Sequence, residues 1–341
     1  MFLLCACMYF DIAMPSMLFM VTLAAVFLDE KVEKKLKGVF EEREFRVRDT
    51  VLLVAAISVT VSLVVFVPQI AVMTVYLFAY SMLLFIFTYL FSDFQSAKAK
   101  LLCLMFLLVS FLIGTVSIFN FGANILVAYG ALAFFCLFGF AFLALLYEED
   151  RTNSGERWYL AVFPPALFIC LYLFFGRTHV WFPYLLDLYG IVFAVLITLY
   201  LGSLFTLKTA LIFVGLLTVM DIVLVLFTGS MVSAASHVSG LGLPVLISLP
   251  TVPAIVTEMG KLYMSLGLGD FFFAGILAVQ ALKKYGRHFA ILSIVTMSGS
   301  FLIFEAFMLT YKVNAFPGTL MIICGWLPLV LSKNLKKMTV G

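Results

Sequence analysis

Asp221, Asp270 and Glu305 each lie inside a long apolar stretch of this 341-residue chain. A charged carboxylate at mid-bilayer costs at least ~2.5–3.5 kcal/mol, so an acid there needs a chemical reason. Counting about 1.5 Å of rise per residue puts Asp221 roughly 10 Å below its helix end, and Asp270 roughly 15 Å below the start of the next apolar stretch. Consecutive spans run antiparallel, so the two acids are expected at similar depth and able to face each other. Two carboxyls in contact, away from water, cannot both ionise cheaply and therefore share one proton. The pair then offers one base and one acid at the same spot, which is what activates water against an amide carbonyl. Such a reaction calls for no metal, cofactor or covalent nucleophile. Glu305 falls at a comparable depth, where it either lines a hydrated cavity or bonds a neighbouring helix as a neutral acid.

The elements that must carry these acids follow from composition. Hydrophobic residues make up 65% of the chain and charged residues 11%, with mean hydropathy +1.18. Soluble domains are about 25% charged, so a water-soluble monomer is excluded. The apolar stretches are about 18–25 residues long, enough to cross the hydrocarbon core, and in lipid each must satisfy its own backbone as a helix. The expected fold is an all-α polytopic transmembrane bundle of about eleven helices. These are placed near 3–28, 50–67, 70–91, 101–119, 124–146, 159–175, 185–205, 208–228, 260–282, 288–311 and 317–332. The chain divides into N-terminal helices with a charged loop (1–91), scaffold helices (92–184) and a region holding both aspartates (185–341).

With the N-terminus outside and the C-terminus cytoplasmic, this layout puts 18 of the 21 basic residues on the inner side, leaving only Arg177, Lys261 and Lys312 outside. That is the asymmetry of the positive-inside rule. Residues 29–49 hold as many acids as bases and read as an amphipathic or solvated cytoplasmic helix. Asp11 is expected near the outer end of the first helix, reaching headgroups. Residues 229–259 are apolar but interrupted by Pro244, Pro250 and Pro253, which prevent a continuous helix, and the run 243–249 reads as an extended segment.

Other chemistries find little support. The six cysteines lie in apolar stretches without a CxxC pair, so neither a disulfide framework nor a metal site follows. His179, His237 and His288 sit at loop or helix ends, and no HExxH occurs. Neither Ser239-Gly240 nor Ser298-Gly299 has the leading glycine of a GxSG serine site. No basic stripe interleaved with aromatics suggests nucleic acid.

Around Asp270 the residues form a recognisable pattern. Gly267 and Gly269 flank Leu268 immediately before it, and Phe271, Phe272 and Phe273 follow. Glycine weakens a helix by about 1 kcal/mol relative to alanine but admits a close backbone. Two of them beside a buried acid suit a site that receives a peptide. This segment resembles the GxGD motif of the presenilin and signal peptide peptidase family of intramembrane aspartyl proteases. That family's other aspartate lies one helix earlier, which here matches Met220-Asp221-Ile222-Val223, with Met220 in place of a tyrosine. The family's Pro-Ala-Leu motif is matched only by Pro317 of Pro317-Gly318-Thr319.

The resemblance covers roughly residues 185–332 and implies a nine-helix core preceded here by two extra helices. It implies that Asp221 and Asp270 are the catalytic dyad, and that Gly267, Leu268, Gly269, Leu246, Pro317 and Gly318 receive substrate. Substrates would be transmembrane-helix proteins or signal peptides drawn from the lipid bilayer, held as an added strand with 243–253 on the enzyme's side. The inferred topology is similar to that of the signal peptide peptidase branch, with cleavage in the outer half of the bilayer. Two alternatives stay open. One is a secondary transporter using Asp221, Asp270 and Glu305 as ion or proton sites; the other is a pre-pilin-type GxGD peptidase. The oligomeric state is open as well.

Overall fold

A computed structural model of the chain describes residues 9–39, 44–64, 69–90, most of 101–112, 161–257, 260–313 and 315–340. The architecture is an all-α helical bundle, as composition requires, with a small β-hairpin element inserted. Among the described residues, four runs are long and apolar enough to cross a membrane: Ala13–Leu36, Trp181–Gly202, Leu207–Phe227 and Arg287–Tyr311. Shorter apolar helices occupy Val75–Leu90, Phe163–Phe175 and Gly318–Lys333. The helix expected at 124–146 lies outside the described residues, as does much of the one at 101–119.

The chain forms two compact units. The smaller, Val75–Trp181, contains the later part of α3 (Gln69–Leu90) and α4 (Phe163–Phe175), which opens on Pro164 and Pro165. Proline is well placed there, because the first turn of a helix has no use for its missing N–H. Tyr80 of α3 meets Phe168 of α4 edge-on, with ring centroids 6.1 Å apart.

The larger unit, Met1–Thr74 with Phe182–Gly341, begins with α1 (Ala13–Val39). This helix starts later than the sequence suggested and runs on through the charged stretch as far as residue 39. The reason is visible in the spacing: Met14, Leu18, Val21 and Ala25 bury one stripe, and Val32 and Leu36 continue it. The acids between them serve the same helix, with Lys283 Nζ 3.0 Å from Glu33 and 3.9 Å from Asp29. Asp11 is not at the headgroups either. It is 0% exposed and caps α1, accepting from the N–H groups of Ala13 (3.0 Å) and Met14 (3.2 Å). A third N–H, from Val252, reaches it at 2.6 Å.

After α2 (Val47–Val64) and the smaller unit, a kinked segment at Trp181–Leu185, with Phe182 extended (φ −101°, ψ 129°), leads into α5 (Leu186–Gly202). Helix α6 (Leu207–Ile222) is started by a reciprocal cap between Thr206 and Thr209, and a π-helical turn, Val223–Phe227, extends it. Helix α7 (Ser230–Gly240) follows. Then comes an antiparallel hairpin in which β1 (Leu246–Pro250) pairs with β4 (Tyr263–Gly267); between them the short β2 (Val256–Thr257) pairs with β3 (Gly260–Lys261). The bundle is completed by α8 (Leu268–Tyr285), α9 (Arg287–Tyr311) and α10 (Gly318–Val340).

Two findings bear on the site. The segment at 243–253 is indeed extended over Leu246–Pro250. The helix expected over 260–282, by contrast, begins only at Leu268, because pairing with β1 satisfies the backbone of 263–267 as a strand. Helix α8 is the centre of this unit. Every residue from Phe271 to Ala281 is buried, and α1, α5, α6, α9 and α10 pack around it. Gly275 lets α5 approach, since a Cβ at that position would collide with the Thr198 side chain.

Candidate active site

Asp270 sits at the third position of α8, in its first turn and not deep within a helix as the depth estimate assumed. Gly267 is the residue before the helix, in extended conformation (φ −70°, ψ 146°). The Asp270 carboxyl reaches back to accept the Gly267 N–H, which is the acidic half of a capping box. This fixes the side chain over the junction between strand β4 and helix α8. A Cβ on Gly267 would stand 3.3 Å from Asp270 Oδ2, so the first glycine of the motif keeps that space clear. Leu268 is buried, while Gly269 is exposed on the other side of the turn.

Asp221 occupies the last turn of α6, immediately before the π-helical turn. Single π-helical turns are frequent at functional sites. It is 7% exposed, and its Oδ2 accepts two hydrogen bonds from one residue of α10: the Thr319 hydroxyl at 2.6 Å and the Thr319 N–H at 3.3 Å. Thr319 lies in the first turn of α10, where N–H groups have no helical partner and the helix dipole favours an anion.

The preceding residue meets the other acid. A Cβ on Gly318 would fall 2.6 Å from Asp270 Oδ1. Gly318 and Thr319, adjacent in the chain, thus touch Asp270 and Asp221 respectively. The start of α10 draws the ends of α6 and α8 together, and the two carboxyls stand close enough for their charges to interact. Pro317 is buried just before this turn, and its C=O accepts the Met321 N–H at 3.3 Å.

Leu246 lies opposite Gly267 in the hairpin register, beside the strand–helix junction. Met220, which stands where the resembled family has tyrosine, turns to α2 instead, where the Ser58 hydroxyl meets its sulfur. Glu305 is 1% exposed in α9, and among the described residues neither of its oxygens has a hydrogen-bond partner. It is not one of the pair. Sequence reasoning missed Thr319. Thr319 had one available signal, a hydroxyl residue two places after a helix-starting proline. Among the described residues, no group of three or more His, Cys, Asp or Glu gathers in one place.

No known protein family, no curated protein and no solved structure matches the chain.

Proposed function

We propose that the chain is an intramembrane aspartyl endopeptidase, hydrolysing peptide bonds of transmembrane segments with water and the Asp221/Asp270 pair. The observation that carries this reading is the convergence of two acids from different helices on the first two residues of a third helix. A single buried acid fits many roles. Two at one point, braced by Thr319 and cleared of side chain by Gly318, suit the sharing of a proton.

In the proposed reaction, the ionised carboxyl takes a proton from water while the oxygen attacks the amide carbon. The protonated carboxyl gives its proton to the carbonyl oxygen. The resulting diol collapses as the C–N bond breaks: the departing amine takes a proton from the protonated carboxyl, one diol hydroxyl returns its proton to the ionised carboxyl, and the pair is restored. Thr319 anchors one oxygen of Asp221, which holds the base or acid in register with its partner.

A transmembrane helix hides its amides, so the substrate must be opened before it is cut. An extended segment added to the hairpin would expose them. Strand β4 is the edge best placed for this, because it runs directly into Gly267-Leu268-Gly269-Asp270. Residues on alternating sides of β4 face away from β1 at Tyr263, Ser265 and Gly267, by the register with Val245 and Leu268. Among the described residues, none bonds the main-chain N–H and C=O of Ser265. Leu246 and Gly267 then lie on the hairpin side of the dyad, and Pro317 and Gly318 on the α10 side.

The GxGD resemblance supports the same reading, and the signal peptide peptidase-like orientation (N-terminus outside, C-terminus cytoplasmic) belongs to the proposal. Purified protein in lipid discs, given a single-span substrate, is expected to release fragments cut within the apolar stretch, as mass spectrometry reads them. Intact substrate throughout, together with proton-coupled solute uptake in vesicles, would replace the protease with the transporter.

A further inference from the structure

Helix α5 enters the bundle beside β1, on the side away from β4. Asp187, in its first turn, is only 8% exposed. Its Oδ1 accepts the Ser248 N–H at 2.8 Å. This is an uncommon use of a carboxylate, because Ser248 is a strand residue 61 positions later in the chain, and the bond caps no helix.

The register shows what it does. Val245 pairs with Leu268 and Thr251 with Leu262 through main-chain bonds at 2.9 and 3.1 Å, so Leu246, Ser248 and Pro250 direct their main-chain groups away from β4. Each of these three positions on the far edge of β1 has its N–H withdrawn or its approach obstructed. Pro250 has no N–H to offer. The Ser248 N–H is taken by Asp187. At Leu246 the α5 backbone stands close: a Cβ on Gly190 would be 3.8 Å from the Leu246 carbonyl oxygen and 2.9 Å from Ile247 Cγ1.

We propose that Asp187 is a positioning residue that closes the far edge of β1, leaving β4 as the one edge where an extended substrate can pair. The substrate-docking half of this inference rests on the proteolytic reading above; the clamp itself does not. An unclamped strand would have two consequences. Its free edge would compete for the substrate at a distance from the carboxyls, as unpaired strand edges do. The hairpin would also lose the strut that fixes β4, and so the alignment of the substrate amide with Asp270. Ser248 and Ser265 face each other across the pair with their hydroxyls 2.7 Å apart, so a slip in β1 passes directly to the open strand.

The test compares Asp187→Ala with Asp187→Asn in the full-length protein, by two measurements. Asparagine keeps an oxygen that can accept the Ser248 N–H but loses the charge; alanine loses both. Hydrogen exchange of the 246–250 amides is expected to quicken by about tenfold in Asp187→Ala, as for a lost buried hydrogen bond, and to stay near wild type in Asp187→Asn. Fragment mapping of a cleaved transmembrane substrate is expected to show scattered cut positions with Asp187→Ala and the wild-type position with Asp187→Asn. Unchanged exchange and an unchanged cleavage map in Asp187→Ala would overturn the inference. So would loss of cleavage in Asp187→Asn as complete as in Asp187→Ala, since that would tie the carboxylate's charge to the chemistry. If wild-type protein cuts nothing, the protease proposal fails while the exchange measurement still decides the clamp.

Discussion

Thr319 and Gly318 carry most of the geometry at the scale of single residues. A hydrogen bond to a charged group contributes about 1.5–3 kcal/mol, and Thr319 donates twice to Asp221 Oδ2. Replacing Thr319 with valine keeps its shape and its N–H but removes the hydroxyl. The expected result is a fall in kcat of about 10- to 100-fold, and recovery in Thr319→Ser. Gly318→Ala makes a different demand. Its methyl would occupy the place of the Asp270 carboxyl, so the variant should fold and bind substrate yet cut it far more slowly. An alanine variant with wild-type kcat would mean that Asp270 is not held at the α10 turn. Both acids and both flanking glycines were legible in the sequence because carboxylates in apolar stretches are costly. Thr319 was not, because a threonine in an apolar stretch costs little and signals nothing by itself.

At the scale of elements, the instructive difference is the strand at 263–267. Hydropathy cannot separate a buried strand from a buried helix, since both are apolar runs, and the stretch from Leu262 onward reads as one. What decides between them is a partner 17 residues away, Ser248 opposite Ser265, and pairing at that distance has no local signature. The proline-marked half of the hairpin was legible because proline excludes a helix. The charged half of α1 was mistaken for a separate segment because composition shifts there while the buried stripe does not.

Two predictions belong to this level. Ser265→Pro removes only an N–H that faces away from β1, so the hairpin should stand, as edge strands tolerate proline. Cleavage should nevertheless fail through loss of substrate pairing, which would appear as a raised KM with the Tm held. Full activity in that variant would move the substrate off β4. Asp11→Ala removes the α1 cap and the tie to Val252 together; thermal unfolding should show a loss of about 1–3 kcal/mol.

For the molecule as a whole, composition was the strongest guide. A chain with 11% charged residues has too little polar surface to remain in water, and the described helices are those of a membrane bundle. Burial of α8 on every side from Phe271 to Ala281 follows from its place among five neighbours. The sequence could reveal that α8 is apolar, but not that it is central. The distribution of lysine and arginine predicts a cytoplasmic C-terminus: a fluorescent reporter fused after Gly341 should fold and glow, while alkaline phosphatase at the same point should stay inactive.

The central claim is that one proton shared between two carboxyls, at the meeting point of α6, α8 and α10, cuts a peptide bond with water. The most direct test is the single-turnover cleavage of a membrane-embedded substrate by Asp221→Asn and Asp270→Asn, each made separately and each checked for an unchanged Tm. An asparagine keeps the shape but can neither take nor give the proton, so each substitution alone should abolish cleavage, and the double variant should be no worse than either. Cleavage that survives in one of the single variants would contradict the account.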